Sequence, residues 1–282
     1  GVLVKIIKGN GESVASGELK LASALSEKES GHELFNIATS ARKDGDQYVI
    51  QGLKCAVIHG AQAGGFVVSA RTGCEQRDTD GISLFYVPRD TAGVTVTEYR
   101  TYDGQRGADV RFDNARVPAS ALIGAVGRGW DILEASTDYG VALLCAEAVG
   151  AMETANALTL EYLKTRKQFG VPIGTFQVLQ HRMADMFMHA EQAKSITILA
   201  AVKVLTAAPD ERRKLVSAAK VRVGKAMRFI GQQAIQMHGG MGMTNEMSIS
   251  HYFKRLTAIE VTLGNTDFHR SRFIRQPDFA AV

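Results

Sequence analysis

The chain has 282 residues, 45% hydrophobic and 22% charged, enough apolar material for two compact cores, which excludes a disordered chain. Lys and Arg number 33 against 29 Asp and Glu, and these charges are dispersed rather than gathered into basic blocks, so no nucleic-acid tail is expected. Cys55, Cys74 and Cys145 form no CxxC pair and no Cys/His cluster, which argues against a disulfide framework and a structural metal and fits a reducing cytoplasm.

In chain order, residues 2–7 form a short apolar run followed by the turn-like GNGES, and residues 1–17 are expected to be the remnant of a preceding helix. That start lacks a long apolar run ending in a cleavage site, and no stretch reaches the ~18 uninterrupted apolar residues of a membrane span. Residues 18–125 then carry runs of strand length rich in Val, Ile, Phe and Tyr: 47–60, 64–71, 81–88, 93–99 and 108–118. DGD at 44–46, TDG at 79–81 and NAR at 114–116 punctuate them, and the region is expected to be an antiparallel barrel or sandwich.

Residues 126–282 change to helical periodicity, with four long segments at about 131–165, 175–206, 211–238 and 246–275. The whole is therefore an α+β chain: a β-domain, then a four-helix bundle. Pro172 follows the break at Gly170, Pro209 is placed between the second and third helices, and Pro277 follows the last. Asp210 has a plausible cap position. On the third helix Leu215, Ala219, Val223, Ala226, Ile230 and Met237 make an apolar stripe, with Lys214, Lys220, Arg222 and Arg228 assigned outside it.

The chain has no P-loop, no GxSxG, no HExxH and no GxGxxG between a strand and a helix. Three glycine-and-charge clusters remain, RKQFGVPIGTFQ (166–177), QMHGGMGM (236–243) and TLGNTDFHR (262–270), all at predicted helix ends or loops where backbone N–H groups are available to a phosphorylated ligand. By residue type alone Arg166 complements a helix C-terminus, Gly239 and Gly240 make a turn, and His181, His238 and His269 are surface or partly exposed residues. No pair of these has metal-ligand spacing.

Taken in order, RKQFG, FQVLQHRMADM, AIQMHGGMGMTNE, HYFKR and GNTDFHR closely resemble the carboxy-terminal helical domain of the flavin-dependent acyl-CoA dehydrogenase family. ELKLASALSE followed by KDGDQYVIQGLK and VIHG resembles that family's middle β-domain, so the resemblance runs from about residue 17 to 275. ALLCAEAVGAME, YLKTRKQFGVPIG and HYFKRL look closest to the branch of pimeloyl-CoA dehydrogenase small subunits, whose members act as pairs of unlike subunits. Relatives begin with an amino-terminal helical domain that is missing here apart from the remnant at 1–17.

The resemblance implies FAD as cofactor, an acyl-CoA substrate, an electron-transfer flavoprotein or similar acceptor, and a homo- or hetero-tetramer. Arg166 matches the arginine that reaches the flavin pyrophosphate across a subunit interface, Phe169 the aromatic beside the adenine end, and Gln236, Gly239 and Gly240 the segment that approaches the pyrophosphate. Leu25 and Ser26 match the pair that binds the isoalloxazine edge. Two flavin features are replaced: Ala56, Val57 and Ile58 stand where relatives have W-I-T, and Lys28 to His32 where they have P-G-A-G-S.

The family reaction removes the proton α to the thioester and passes hydride from the β carbon to flavin, with glutamate as base. The usual base position is Leu263 and the alternate one is Gly140, neither of which is ionisable. Three other acids remain: Asp138, matched to an aspartate on the CoA side; Glu147, two turns beyond Gly140 in an apolar context; and Glu260, ahead of the loop. Glu147 is the candidate catalytic residue and Asp138 the candidate substrate contact. Three readings follow: a catalytic subunit, a non-catalytic partner subunit that lends flavin contacts or structure to a competent one, and a helical interaction module without flavin.

Overall fold

The computed structural model describes residues 11–276, so Pro277 and the expected apolar run at 2–7 lie outside the described residues. A short helix, α1 (Gly11–Ser16), precedes eight strands: β1 (Leu21–Ala24), β2 (Ser40–Asp44), β3 (Gln47–Ile58), β4 (Gly65–Arg71), β5 (Ile82–Pro88), β6 (Val94–Arg100), β7 (Arg106–Pro118) and β8 (Leu122–Ile123). They form one sheet in the order β6-β7-β3-β2-β4-β5-β8, mostly antiparallel, with β1 added parallel to β4. The five strand runs legible in the sequence correspond to β3 to β7; β1, β2 and β8 are short additions. Inward-facing Ile50, Phe66, Val68, Phe85, Val110 and Phe112 make the core, each contributing about 1.5–3 kcal/mol by burial.

The helical part consists of α2 (Trp130–Thr165), α3 (Gln177–Lys203), α4 (Pro209–His238), α5 (Ser248–Val261) and α6 (Thr266–Ile274), with a two-residue hairpin, β9 (Lys167–Gln168) and β10 (Val171–Pro172), between α2 and α3. The expected fourth helix is thus two, α5 and α6, separated at Thr262–Asn265. The break has a local cause: Leu263 and Gly264 take positive φ, and Asn265 caps the new helix by accepting from the Phe268 N–H at 2.8 Å. Two other helix-end expectations are corrected. Pro209 lies inside the first turn of α4, where its missing N–H costs nothing, and Asp210 sits within that turn and pairs with Arg213 while Ala208 occupies the cap position.

The chain divides into two compact units between Ser136 and Thr137, within α2 rather than ahead of it. The reason is apolar: Trp130, Ile132 and Leu133 on the first turns of α2 pack with Val67, Leu84 and Ile123 of the sheet-bearing unit. From Val141 onward α2 presents Val141, Cys145, Ala148, Met152 and Ala155 to the helical core. That helix is long and apolar enough to cross a membrane by length and composition alone, and its apolar content is what this core uses. On α4 the predicted stripe is buried from Ala219 to Met237, with Leu215 half-buried at its start, but Lys220 is fully buried with it instead of lying outside.

Candidate functional site

In the sheet-bearing unit, Leu25 and Ser26 follow directly on β1. The Ser26 carbonyl accepts from the Cys55 N–H at 2.8 Å, and the Ser26 hydroxyl has no partner among the described residues. Across from them β3 departs from regular pairing: the register shifts between Lys54 and Val57, and Ala56 takes φ 52° at the surface with its N–H donated to Asp109 Oδ1 at 3.1 Å. Val57 joins the core while Ile58 is exposed, so the three residues standing for W-I-T present a methyl group and one aliphatic side chain. The replaced turn at 28–32 is anchored at its start, where Ser30 Oγ both accepts from the Glu27 N–H and donates to the Glu27 carbonyl.

In the helical unit, α2 ends at the 166–172 hairpin. Arg166 is exposed, and its guanidinium has no partner among the described residues. Phe169 and Gly170 turn the hairpin with φ 56° and 81°, and Phe169 is 89% exposed, meeting Phe176 edge-on at 6.1 Å. A bulky aromatic held in the left-handed region and turned to the outside is a conformation that folding alone does not favour. One turn before Arg166, Tyr162 stacks on His238 at 4.4 Å. That contact brings the end of α4, with exposed Gln236, to the same end of the unit as Arg166. His238 is therefore buried, contrary to expectation, and its Nδ1 bonds the Ala234 carbonyl at 2.8 Å.

Gly239 closes α4 with φ 60°, and Gly240 follows. A Cβ built on Gly240 would meet nothing within 4 Å, and its φ is one any residue adopts, so neither conformation nor packing within this chain asks for glycine there. The Gly239 N–H is taken by the Gln236 carbonyl, so what the two exposed glycines offer, at the same end of the unit as the unpaired Arg166, is side-chain-free backbone that an anion such as a pyrophosphate can approach closely.

The two base positions meet. Leu263 stands at φ 54° in the α5–α6 turn, and its Cδ1 lies 2.9 Å from where a Cβ on Gly140 of α2 would be. The turn is fastened from beneath. Lys220 Nζ donates to the carbonyls of Ile259 (2.6 Å) and Thr262 (2.8 Å), His269 Nε2 donates to the Leu263 carbonyl (2.9 Å), and Glu260 Oε1 accepts from the Thr266 N–H (2.9 Å). His269 was expected to be partly exposed; it is buried, and burial lowers its pKa to about 4. The ring is thus neutral, with its one proton on Nε2 because a carbonyl can only accept. Burial likewise lowers Lys220 to about 8 and raises the Cys145 thiol to about 12.

The other acids are committed elsewhere. Asp138, the expected substrate contact, is fully buried and bound by Arg212 Nε at 2.9 Å and Arg272 at 2.6 Å, so it joins α2, α4 and α6. Glu147 lies at the surface, not in an apolar enclosure, and both its oxygens are held by Arg255, at 2.5 and 2.9 Å. Lys54, Lys220 and His269 are the site-bordering residues that sequence patterning missed, since it assigns cations and imidazoles to surfaces. Among the described residues no three His, Cys, Asp or Glu side chains are grouped to hold a metal.

Residues 22–115 match the family description "Acyl-CoA dehydrogenase, middle domain" and residues 127–276 match "Acyl-CoA dehydrogenase, C-terminal domain". The chain is 32% identical over 269 residues to the probable acyl-CoA dehydrogenase YngJ of Bacillus subtilis, covering 93% of this chain and 70% of that protein. It is 31% identical over 253 residues to the human mitochondrial short-chain specific acyl-CoA dehydrogenase, covering 88% of this chain and 60% of that one. A solved structure described as an FAD-dependent dehydrogenase is similar with a TM-score of 0.88 and 30% identity, covering 95% of this chain and 72% of that one. Matched along both of its units, the chain belongs to the acyl-CoA dehydrogenase family.

Proposed function

We propose that this chain is an FAD-binding subunit of an acyl-CoA dehydrogenase built from unlike subunits, and that it does not itself carry the base. The observation behind this reading is the leucine at residue 263 packed against Gly140: the two positions from which relatives supply a glutamate share one small volume, and here an aliphatic side chain fills it. Glu147 does not rescue the reaction, because its carboxylate is engaged by Arg255 at the surface.

FAD, when bound, supplies the acceptor for the hydride leaving the β carbon of the acyl thioester. This chain's own residues bind and orient it. Arg166 supplies a planar guanidinium for the pyrophosphate of a neighbouring subunit's flavin, which lysine matches poorly. Phe169 offers its face to the adenine end, Gln236 with the side-chain-free backbone of Gly239 and Gly240 faces the pyrophosphate, and Leu25 with the unpaired Ser26 hydroxyl meets the ring edge. Support for FAD is the fit of these groups: an unpaired exposed arginine, an open glycine cradle and an unsatisfied hydroxyl. Leu263 keeps water and ionisable groups away from its side of the acyl chain. The assembly acts on an acyl-CoA thioester in the cytoplasm, as a tetramer, and passes electrons to an electron-transfer flavoprotein or similar acceptor.

The test is to purify the full-length chain alone and with the product of its neighbouring gene, and to assay an acyl-CoA panel with an artificial electron acceptor. The expected result is FAD in the assembly and turnover only with the partner. Turnover by this chain alone favours the catalytic reading; a pure, folded assembly without flavin leaves only the interaction module.

A further inference from the structure

A buried lysine persists in a core only when each of its donors is met. Lys54, on β3, is 0% exposed. Strand β2 pairs with β3 only from Gln47 to Gln51, so the second half of β3 runs on without that neighbour. The segment Leu25–Glu27 borders it instead, tied to it by the Cys55 N–H on the Ser26 carbonyl. Lys54 Nζ reaches the same segment: it donates to the Leu25 carbonyl at 3.2 Å, to Glu27 Oε1 at 2.7 Å and to Ser69 Oγ of β4 at 3.1 Å. Three ammonium protons meet three acceptors. Glu27 is anchored in turn, accepting from the Ala38 N–H at 2.8 Å and the Thr39 N–H at 3.1 Å. Burial draws the Lys54 pKa down to about 8 against the pull of Glu27, which leaves the ammonium charged at neutral pH.

We propose that Lys54 is a positioning residue for the flavin: by holding the Leu25 carbonyl, Glu27 and Ser69 together it fixes the geometry in which Leu25 and Ser26 meet the isoalloxazine edge. The proposal rests on the reading above that these two residues face FAD. A lysine that served stability alone would be replaceable, with its counter-charge, by apolar and neutral groups of similar volume. What such a replacement does not restore is the tether on the main chain one residue before Ser26.

The experiment uses the full-length chain assembled with its partner, and compares wild type, Lys54→Met, the double variant Lys54→Met with Glu27→Gln, and Val87→Ala, a core truncation elsewhere in the same unit. The measurements are FAD content, the rate of FAD release, the shape of the visible flavin band, and Tm. Removing the charge and its partner together is expected to recover part of the Tm lost in the single variant, since an amide at residue 27 still accepts from only one of the Ala38 and Thr39 N–H groups, while FAD still leaves about tenfold faster and the band stays shifted. Wild-type release and band in the double variant overturn the proposal. So does equal FAD loss in Val87→Ala at matched Tm, because the effect then follows stability alone. A wild-type assembly that holds no FAD overturns the flavin reading itself, a result seen before any variant is compared.

Discussion

Leu263→Glu puts the proposed loss of the base to a direct test. Glutamate and leucine have the same number of bonds to Cδ, so the new carboxyl carbon takes the place of a leucine methyl, against α2 at Gly140. The backbone needs no adjustment, because the φ of 54° strains both side chains alike, and Lys220 and His269 continue to hold the carbonyls of Thr262 and Leu263. Leu263 is half-buried, so its loss costs about 1–2 kcal/mol of apolar burial. For a unit of this size that is a fall in Tm of roughly 3–8 °C. A placed general base contributes about 10²–10⁴ in rate. The assay is anaerobic bleaching of the flavin by acyl-CoA in the full-length chain purified alone, together with exchange of the α proton with deuterated solvent, which reports proton removal without hydride transfer. Both are expected to rise at least about 100-fold over wild type. If FAD content is unchanged, Tm falls no further than expected and both rates stay at the wild-type level, the turn does not aim residue 263 at the reacting carbon and the argument fails.

Arg166→Ala is expected to speed FAD release from the assembled oligomer by about tenfold or more, since a charged hydrogen bond of about 1.5–3 kcal/mol is lost; unchanged release rules out the pyrophosphate contact. Glu147→Gln breaks a surface ion pair with Arg255 and is expected to cost no more than about 1 kcal/mol, leaving turnover of the mixed assembly as it was. Abolished bleaching at constant FAD content would instead make Glu147 the base. His269 has a folded pKa of about 4, set by burial, against an ordinary value near 6.5, so the unfolded chain binds the extra proton first as the medium is acidified. Its contribution is complete above pH ~6.5 and is lost as pH falls to ~4, a total of about 3 kcal/mol. His269→Gln, which keeps a donor for the Leu263 carbonyl, is expected to flatten that part of the stability profile in chemical denaturation, and an unchanged slope refutes the assignment.

The elements legible in the sequence were those written locally: the runs of strand length rich in Val, Ile, Phe and Tyr that became β3 to β7, and the stripe of Ala219, Val223, Ala226 and Ile230 on α4. The break between α5 and α6 was also written locally, as Gly264 followed by a capping Asn265, but the apolar residues on either side of it keep a helical rhythm that conceals it. Lys54 and Lys220 were not legible. Their burial depends on acceptors 15–29 and 39–42 residues away, and a pattern of residue types along one element holds no record of such partners. Asp138 is the same case in reverse sign, an acid whose two arginines lie 74 and 134 positions further on. The resemblance proposes cofactor residues by position; it holds no record of which carboxylates the fold engages in ion pairs.

The contact between Leu263 and Gly140 also bears on how a base relocates during the divergence of such enzymes. Two side chains projecting from the loop and from the helix claim one volume, so a glutamate on either requires a small or yielding residue on the other. Exchange between the two arrangements therefore passes through few sequences: either both positions are small and the space stands open, or one is filled. A glycine on the helix with a leucine on the loop is a third stable solution, packed and chemically silent. From it, one codon on the loop side suffices to enter the catalytic arrangement, whereas entry from the helix side needs two changes, because the leucine must first be made smaller.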